Sequence, residues 1–172
     1  IMPMPERSPK TYPLCFHDGA VVPWEQATLH AASIALRYAV SVFEGIRIYR
    51  TDDGLKVLAL APHLERLARS AQMMWLPDPG IDGIGRIIAD LVARNGADGD
   101  CYVRPSISAG NPGELGQAAQ SLLTVTLTAQ GRKTWLAEDR RMKLKLSSWQ
   151  RAHDLAFPSS AKNISNYAGA RI

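Results

Sequence analysis

Ile46-Arg47-Ile48-Tyr49-Arg50-Thr51-Asp52-Asp53-Gly54-Leu55-Lys56-Val57-Leu58-Ala59-Leu60 is the stretch whose period settles the fold class. Its first arm alternates, with Ile46 and Ile48 on one face and Arg47 and Tyr49 on the other, as in a half-buried strand. Asp52-Asp53-Gly54 supplies turn residues, and Leu55 to Leu60 reads as the returning strand of a hairpin. From Pro62 onward strand period gives way to helix period. Leu64, Leu67, Ala71 and Met74 fall at i, i+3, i+7 and i+10, an amphipathic stripe that Pro62 suits in its first turn and Pro77 ends. A helix placed after a closed hairpin, and not after every strand, predicts an α+β fold with a largely antiparallel sheet.

The same reading extends outward. On the N-terminal side, Cys15 to Val22 forms two short strands around Asp18-Gly19, a strong hairpin signal. On the C-terminal side, a second helix is expected from Ile84 to Ala93, capped by Asp82 and stopped at Asn95-Gly96. Alternating strands follow over Cys101 to Ser108 and Leu122 to Thr128. The expected organisation is a loose Pro-rich arm over residues 1–13, an N-terminal α+β domain over 14–129 and a polar interdomain linker over 130–141. Residues 142–172 are expected to begin a second, β-rich domain, opening with the alternating Met142-Lys143-Leu144-Lys145-Leu146-Ser147-Ser148. The chain starts at Ile1, not Met, and stops at Ile172 without a closing element, so it is expected to be a piece of a longer protein.

With 172 residues, 46% hydrophobic and 21% charged, the composition is that of an ordinary globular chain. Disordered, collagen-like and coiled-coil classes are excluded on that ground. No run approaches the ~18–20 apolar residues of a membrane span. The net charge of +4 is mild and not gathered into one block, so neither nucleic acid nor membrane is an expected partner. The two cysteines, Cys15 and Cys101, lie in no CxxC or zinc-spaced cluster, which points to a reducing, cytoplasmic setting without a structural metal.

No GxGxxG, P-loop, G-x-S-x-G or HExxH motif is present. Three features remain that could carry chemistry. Tyr102 and Arg104, two apart in a strand, share a face; a phenol beside a guanidinium is a carboxylate receptor, or equally a solvated cross-strand pair. Arg66, on the polar side of the first helix with Arg69 and Ser70, is either a solvated helix arginine or a phosphate ligand. Lys162 stands among small and polar residues with no other cation within seven positions on either side. Such a lysine is a surface residue or, where desolvated, a Schiff-base nucleophile.

Taken in order, Ser41-Val42-Phe43-Glu44-Gly45-Ile46-Arg47-Ile48-Tyr49, His63-Leu64-Glu65-Arg66-Leu67 with Ser70-Ala71, Tyr102-Val103-Arg104-Pro105, Ser147-Ser148-Trp149 and Ala161-Lys162-Asn163 to Asn166-Tyr167 resemble the branched-chain amino acid aminotransferases. These are fold-type IV pyridoxal-phosphate enzymes, and the resemblance runs from about Phe16 to the C-terminus. It implies that residues 142–172 begin a domain that binds pyridoxal 5'-phosphate. It further implies transamination of leucine, isoleucine and valine with 2-oxoglutarate, giving branched 2-oxo acids and L-glutamate, in a homodimer or higher homo-oligomer. By the same resemblance Lys162 is the catalytic, cofactor-bearing lysine, Arg66 grips the cofactor phosphate and Tyr167 hydrogen-bonds its ring oxygen. Tyr38, Phe43, Gly45, Tyr102 and Arg104 match substrate-binding positions.

The sequence departs from the family pattern at Ala39, where glycine is usual, at Ile34, where histidine is common, in Gly110 to Gly116 and around Trp135. Rival readings are another fold-type IV activity (a D-amino acid or amine transaminase, or aminodeoxychorismate lyase) and a non-catalytic module. A further alternative is a basic protein that binds anionic polymers through Arg132, Lys133, Arg140, Arg141, Lys143 and Lys145.

Overall fold

A computed structural model describes residues 10–132, 141 and 143–171. Residues 1–9 of the expected arm, most of the expected linker with Lys133, Trp135 and Arg140, and Met142 lie outside the described residues. Among the described residues, eight strands form one antiparallel sheet: β1 (Lys10–Thr11), β2 (Leu14–His17), β3 (Ala20–Pro23), β4 (Ser41–Phe43), β5 (Ile46–Thr51), β6 (Gly54–Val57), β7 (Cys101–Ala109) and β8 (Ser121–Ala129). The order is β3-β2-β8-β7-β5-β6, with β1 added to β8 and β4 to β7. Three α-helices accompany it: α1 (Ile34–Tyr38), α2 (Leu60–Met73) and α3 (Ile84–Arg94). The expected α+β class is therefore the observed one.

Both hairpins form. Asp18 and Gly19 take left-handed φ of 47° and 87°, the conformation a two-residue turn between His17 and Ala20 requires. In β5 the alternation places Ile46 and Ile48 in the core and leaves Arg47 and Tyr49 half-buried. β7 repeats it, with Cys101, Val103 and Ile107 buried and Tyr102, Arg104 and Ser106 half-buried. One face of the sheet thus packs with Leu67, Ala71, Ile84, Ile88 and Leu91 of α2 and α3 into a single core, while the other face is left to Tyr102 and Arg104. No helix among the described residues is long and apolar enough to cross a membrane.

Four local expectations change. The arm is not loose to its end, because Lys10 and Thr11 pair with Ala129 and Thr128 of β8. The returning strand stops at Val57, and the chain enters α2 at Leu60 through Ala59, at φ 48°. Pro62 then lies in the first turn, where its missing N–H costs no helix bond. Asp82 does not cap α3; it lies in a single turn, Ile81–Gly83, ahead of the helix. There the Asp78 carboxylate accepts from the N–H groups of Gly80 and Ile81, at 2.8 and 2.9 Å. Finally, residues 143–148 have the alternation of a strand but no strand partner among the described residues, and strands form only where a neighbour completes the ladder.

The departures from the family pattern have a structural counterpart at Ala39. It ends α1 in the left-handed region, φ 57°, where an L side chain costs about 1–2 kcal/mol and glycine costs little.

Candidate active site

Lys162 is placed by its neighbours' backbones. Phe43 N–H donates to the Lys162 carbonyl at 3.0 Å, and Ile164 N–H donates to the Ser41 carbonyl at 3.0 Å, so Asn163 bridges Val42 as a short antiparallel extension of β4. On the other side the Lys162 N–H donates to Ser70 Oγ at 3.0 Å, and that hydroxyl donates to the Arg66 carbonyl at 2.8 Å. Ser70, Ala161 and Asn163 are fully buried. The backbone at Lys162 is therefore clamped between β4 and α2, and its side chain extends to Tyr167, with Nζ 2.5 Å from the phenol oxygen. The Phe43 ring packs on Tyr167 with centroids 5.1 Å apart, and the Lys162 ammonium lies 4.7 Å from the Phe43 centroid.

Glu44, in the bend between β4 and β5, has no exposed side-chain surface. Its carboxylate accepts from Arg66 Nε on Oε1 at 2.5 Å and from Arg66 Nη2 on Oε2 at 2.6 Å, a bidentate fork. Oε2 also lies 2.8 Å from His63 Nδ1. Burial by itself would raise this carboxyl; the hydrogen bonds from Arg66 and His63 outweigh it and hold the group below the usual glutamate range. The same bond raises the Arg66 guanidinium above its ordinary value, so the arginine stays charged. Arg66 remains 44% exposed.

Two cavities meet at Lys162 and Tyr167. The larger, about 780 Å³, is lined by Arg66, Trp149, Ser160, Lys162, Asn166 and Tyr167 among others. The smaller, about 320 Å³, is lined by Phe43, Tyr102, Arg104, Lys162, Ile164 and Tyr167. Arg104 stacks its guanidinium 3.7 Å over the Phe43 ring. Gly45 lies under Tyr102, where a Cβ would meet the phenol oxygen at 2.5 Å.

Of the residues singled out in the sequence, Arg66, Lys162 and Tyr167 come together in the first cavity. Phe43, Tyr102 and Arg104 come together in the second, with Gly45 beneath. Tyr38 lines neither. Its phenol donates to Glu114 at 2.6 Å, and the same carboxylate is paired with Arg37. Sequence reasoning assigned no role to Glu44, His63 or Ser70. The one available signal was a carboxylate set inside the apolar run Val42-Phe43-Glu44-Gly45-Ile46.

The family described as Amino-transferase class IV matches residues 41–171. The branched-chain-amino-acid aminotransferase of Salmonella typhimurium is 33% identical over 160 residues, covering 90% of this chain and 52% of that protein. Among solved structures, the T.th. branched-chain amino acid aminotransferase complexed with N-(5'-phosphopyridoxyl)-L-glutamate superimposes with a TM-score of 0.83 at 30% identity, covering 94% of this chain and 53% of that one. The Escherichia coli branched-chain amino acid aminotransferase superimposes with a TM-score of 0.79 at 32% identity, covering 93% and 54%. The chain thus spans about half the length of the curated relatives it matches.

Proposed function

The chain belongs to the class IV amino-transferase family, and from that membership we propose that the protein is a pyridoxal 5'-phosphate-dependent branched-chain aminotransferase. It moves the amino group of L-leucine, L-isoleucine or L-valine to 2-oxoglutarate, yielding branched 2-oxo acids and L-glutamate. The observation that carries this reading is the position of Lys162 in the lining of both cavities, one holding a guanidinium and the other an aromatic wall with a second guanidinium.

The donor set fits the cofactor. A primary amine beside a phenol suits a pyridine aldehyde with a neighbouring ring oxygen, and an arginine with free donors suits a phosphate. When bound, pyridoxal 5'-phosphate supplies an electron sink for the charge left at the substrate α-carbon. Lys162 would anchor the cofactor through Nζ, Tyr167 would donate to the ring oxygen, and Arg66 would hold the phosphate. Lys162 Nζ would also be the base that takes the proton from the substrate α-carbon, and Tyr167 would keep the amine oriented for that transfer. Phe43 offers an apolar wall for a branched side chain, and Arg104, stacked on that same ring, offers a cation for the distal carboxylate of glutamate. Tyr102 would donate to the α-carboxylate. The phosphopyridoxyl-glutamate complex of the similar T.th. enzyme supports both the cofactor and the glutamate side of this reading.

Absorption spectroscopy of the full-length protein supplied with pyridoxal 5'-phosphate tests the proposal. A near-ultraviolet or visible band is expected in the wild type, bleached by L-leucine and L-glutamate, and absent in Lys162→Ala together with transamination. A wild type without the band, or one that turns over D-alanine or aminodeoxychorismate in preference to L-leucine, overturns it. A homodimer belongs to the same reading. Leu36 and Leu115, sequence neighbours of the Arg37–Glu114 pair, are both exposed, as expected of a surface that another subunit covers.

A further inference from the structure

The Glu44, His63 and Arg66 cluster is built with more care than holding a phosphate-binding arginine near a cavity requires. Glu44 occupies one whole edge of the Arg66 guanidinium, Nε and Nη2, and is itself fixed twice over. Its backbone N–H donates to the Pro105 carbonyl of β7 at 2.9 Å, and its Oε2 is shared with His63 Nδ1. Nη1 has no hydrogen-bond partner among the described residues, and Arg66 lines the large cavity. A guanidinium is planar, so fixing one edge fixes the direction of the other.

We propose that Glu44 is a positioning residue for anion capture: it locks Arg66 so that the remaining donors of the guanidinium are aimed into the cavity, and thereby sets the affinity for the cofactor's phosphate. The inference rests on the reading of Arg66 as the phosphate ligand. Two effects of Glu44 oppose each other. Its negative charge weakens the pull of Arg66 on an anion, while its fork removes the rotamer freedom that an unheld arginine gives up on binding. Orientation wins here because the carboxylate is fully buried and holds the Nε–Nη2 edge, which leaves Nη1 free among the described residues.

Equilibrium binding of pyridoxal 5'-phosphate and of pyridoxal, which lacks the phosphate, separates this role from a structural one. In the full-length protein, Glu44→Gln is expected to weaken pyridoxal 5'-phosphate by about tenfold, the worth of one charge-assisted bond, and to leave pyridoxal unchanged. In an Arg66→Ala background the same substitution is expected to change neither. Glu44→Asp keeps the buried charge but shortens the reach, which safeguards folding; it is expected to lower the preference for the phosphorylated ligand in the same direction. An equal loss of both ligands, unchanged preference in Glu44→Asp, or tighter phosphate binding in Glu44→Gln overturns the proposal while leaving the functional reading intact. A wild type that shows no preference for the phosphorylated ligand overturns the phosphate role of Arg66, and this inference with it.

Discussion

Gly45 has a job that no other residue could take without moving its neighbour. A Cβ there would lie 2.5 Å from Tyr102 Oη and 2.9 Å from a ring carbon, well inside van der Waals separation, so Gly45→Ala must push the phenol off its seat. The three atoms nearest that Cβ all belong to Tyr102, and none to Lys162, Arg66 or Tyr167. The expected outcome is a fall in kcat/KM for amino acid substrates of about 10- to 100-fold, the scale of a small displacement at a site. Pyridoxal 5'-phosphate affinity is expected to stay as in the wild type. Steady-state kinetics beside a cofactor titration checks both halves. Strand period alone puts Tyr102 and Arg104 on one face, which is why their juxtaposition was readable in the sequence. Glu44 was not readable in the same way, because its partners are 19 and 22 residues away along the chain. Nothing in local pattern tells a buried, forked carboxylate from a solvated one, and only the return of α2 against β4 decides it.

Elements whose periods are unbroken were legible, and their ends were less so. The stripe of Leu64, Leu67 and Ala71 predicts α2, with Leu67 and Ala71 buried. Where α2 begins depends on Ala59 accepting a left-handed backbone, a tertiary choice without a signature at an alanine. β4 shows the converse: three buried residues, too short to be recognised alone, become a strand because β7 lies alongside. Its register on β7 is pinned by the buried hydrogen bond between Ser41 Oγ and Ser108 Oγ, 2.8 Å long, between residues directly opposite. Removing one hydroxyl leaves the other buried without its partner, at a cost of about 1–3 kcal/mol. Ser41→Ala and Ser108→Ala are each expected to lower stability by that amount, and the double variant by less than their sum. Urea midpoints of the four proteins measure the coupling directly, and strict additivity would show that the hydroxyls act independently.

At the scale of the whole molecule, the buried carboxylate links folding to pH. Because Glu44 is held below the ordinary glutamate range when folded, the unfolded chain takes up its proton first as pH falls. Its contribution is complete above that range and is withdrawn as pH drops through it toward the lowered value. Denaturation midpoints measured from about pH 7 to pH 3 are expected to fall on the acid side, with a shallower fall in Glu44→Gln. The depressed carboxyls of Glu114 and Asp154 lie at the surface, where solvent and salt screening leave them little weight in this slope, whereas Asp100, 11% exposed and held below its usual range by the Arg50 N–H and by Arg132, adds to the same acid-side loss. β7 also gives the molecule something besides stability. Tyr102 and Arg104 stand on it, Phe43 lies opposite Ser106 of it, and Lys162 is tied to it through the bridge of Asn163 to Val42. Spacings across the site are therefore read off one common ruler whose graduations are residue pairs. A ladder slips only in whole steps, and a two-residue slip of β4 would carry the lysine about 7 Å. Such a ruler cannot be stretched by degrees: drift in α3, which carries none of the site residues, can wear down stability while the distances between the Lys162 amine, the Tyr102 phenol and the Arg104 guanidinium stay in register.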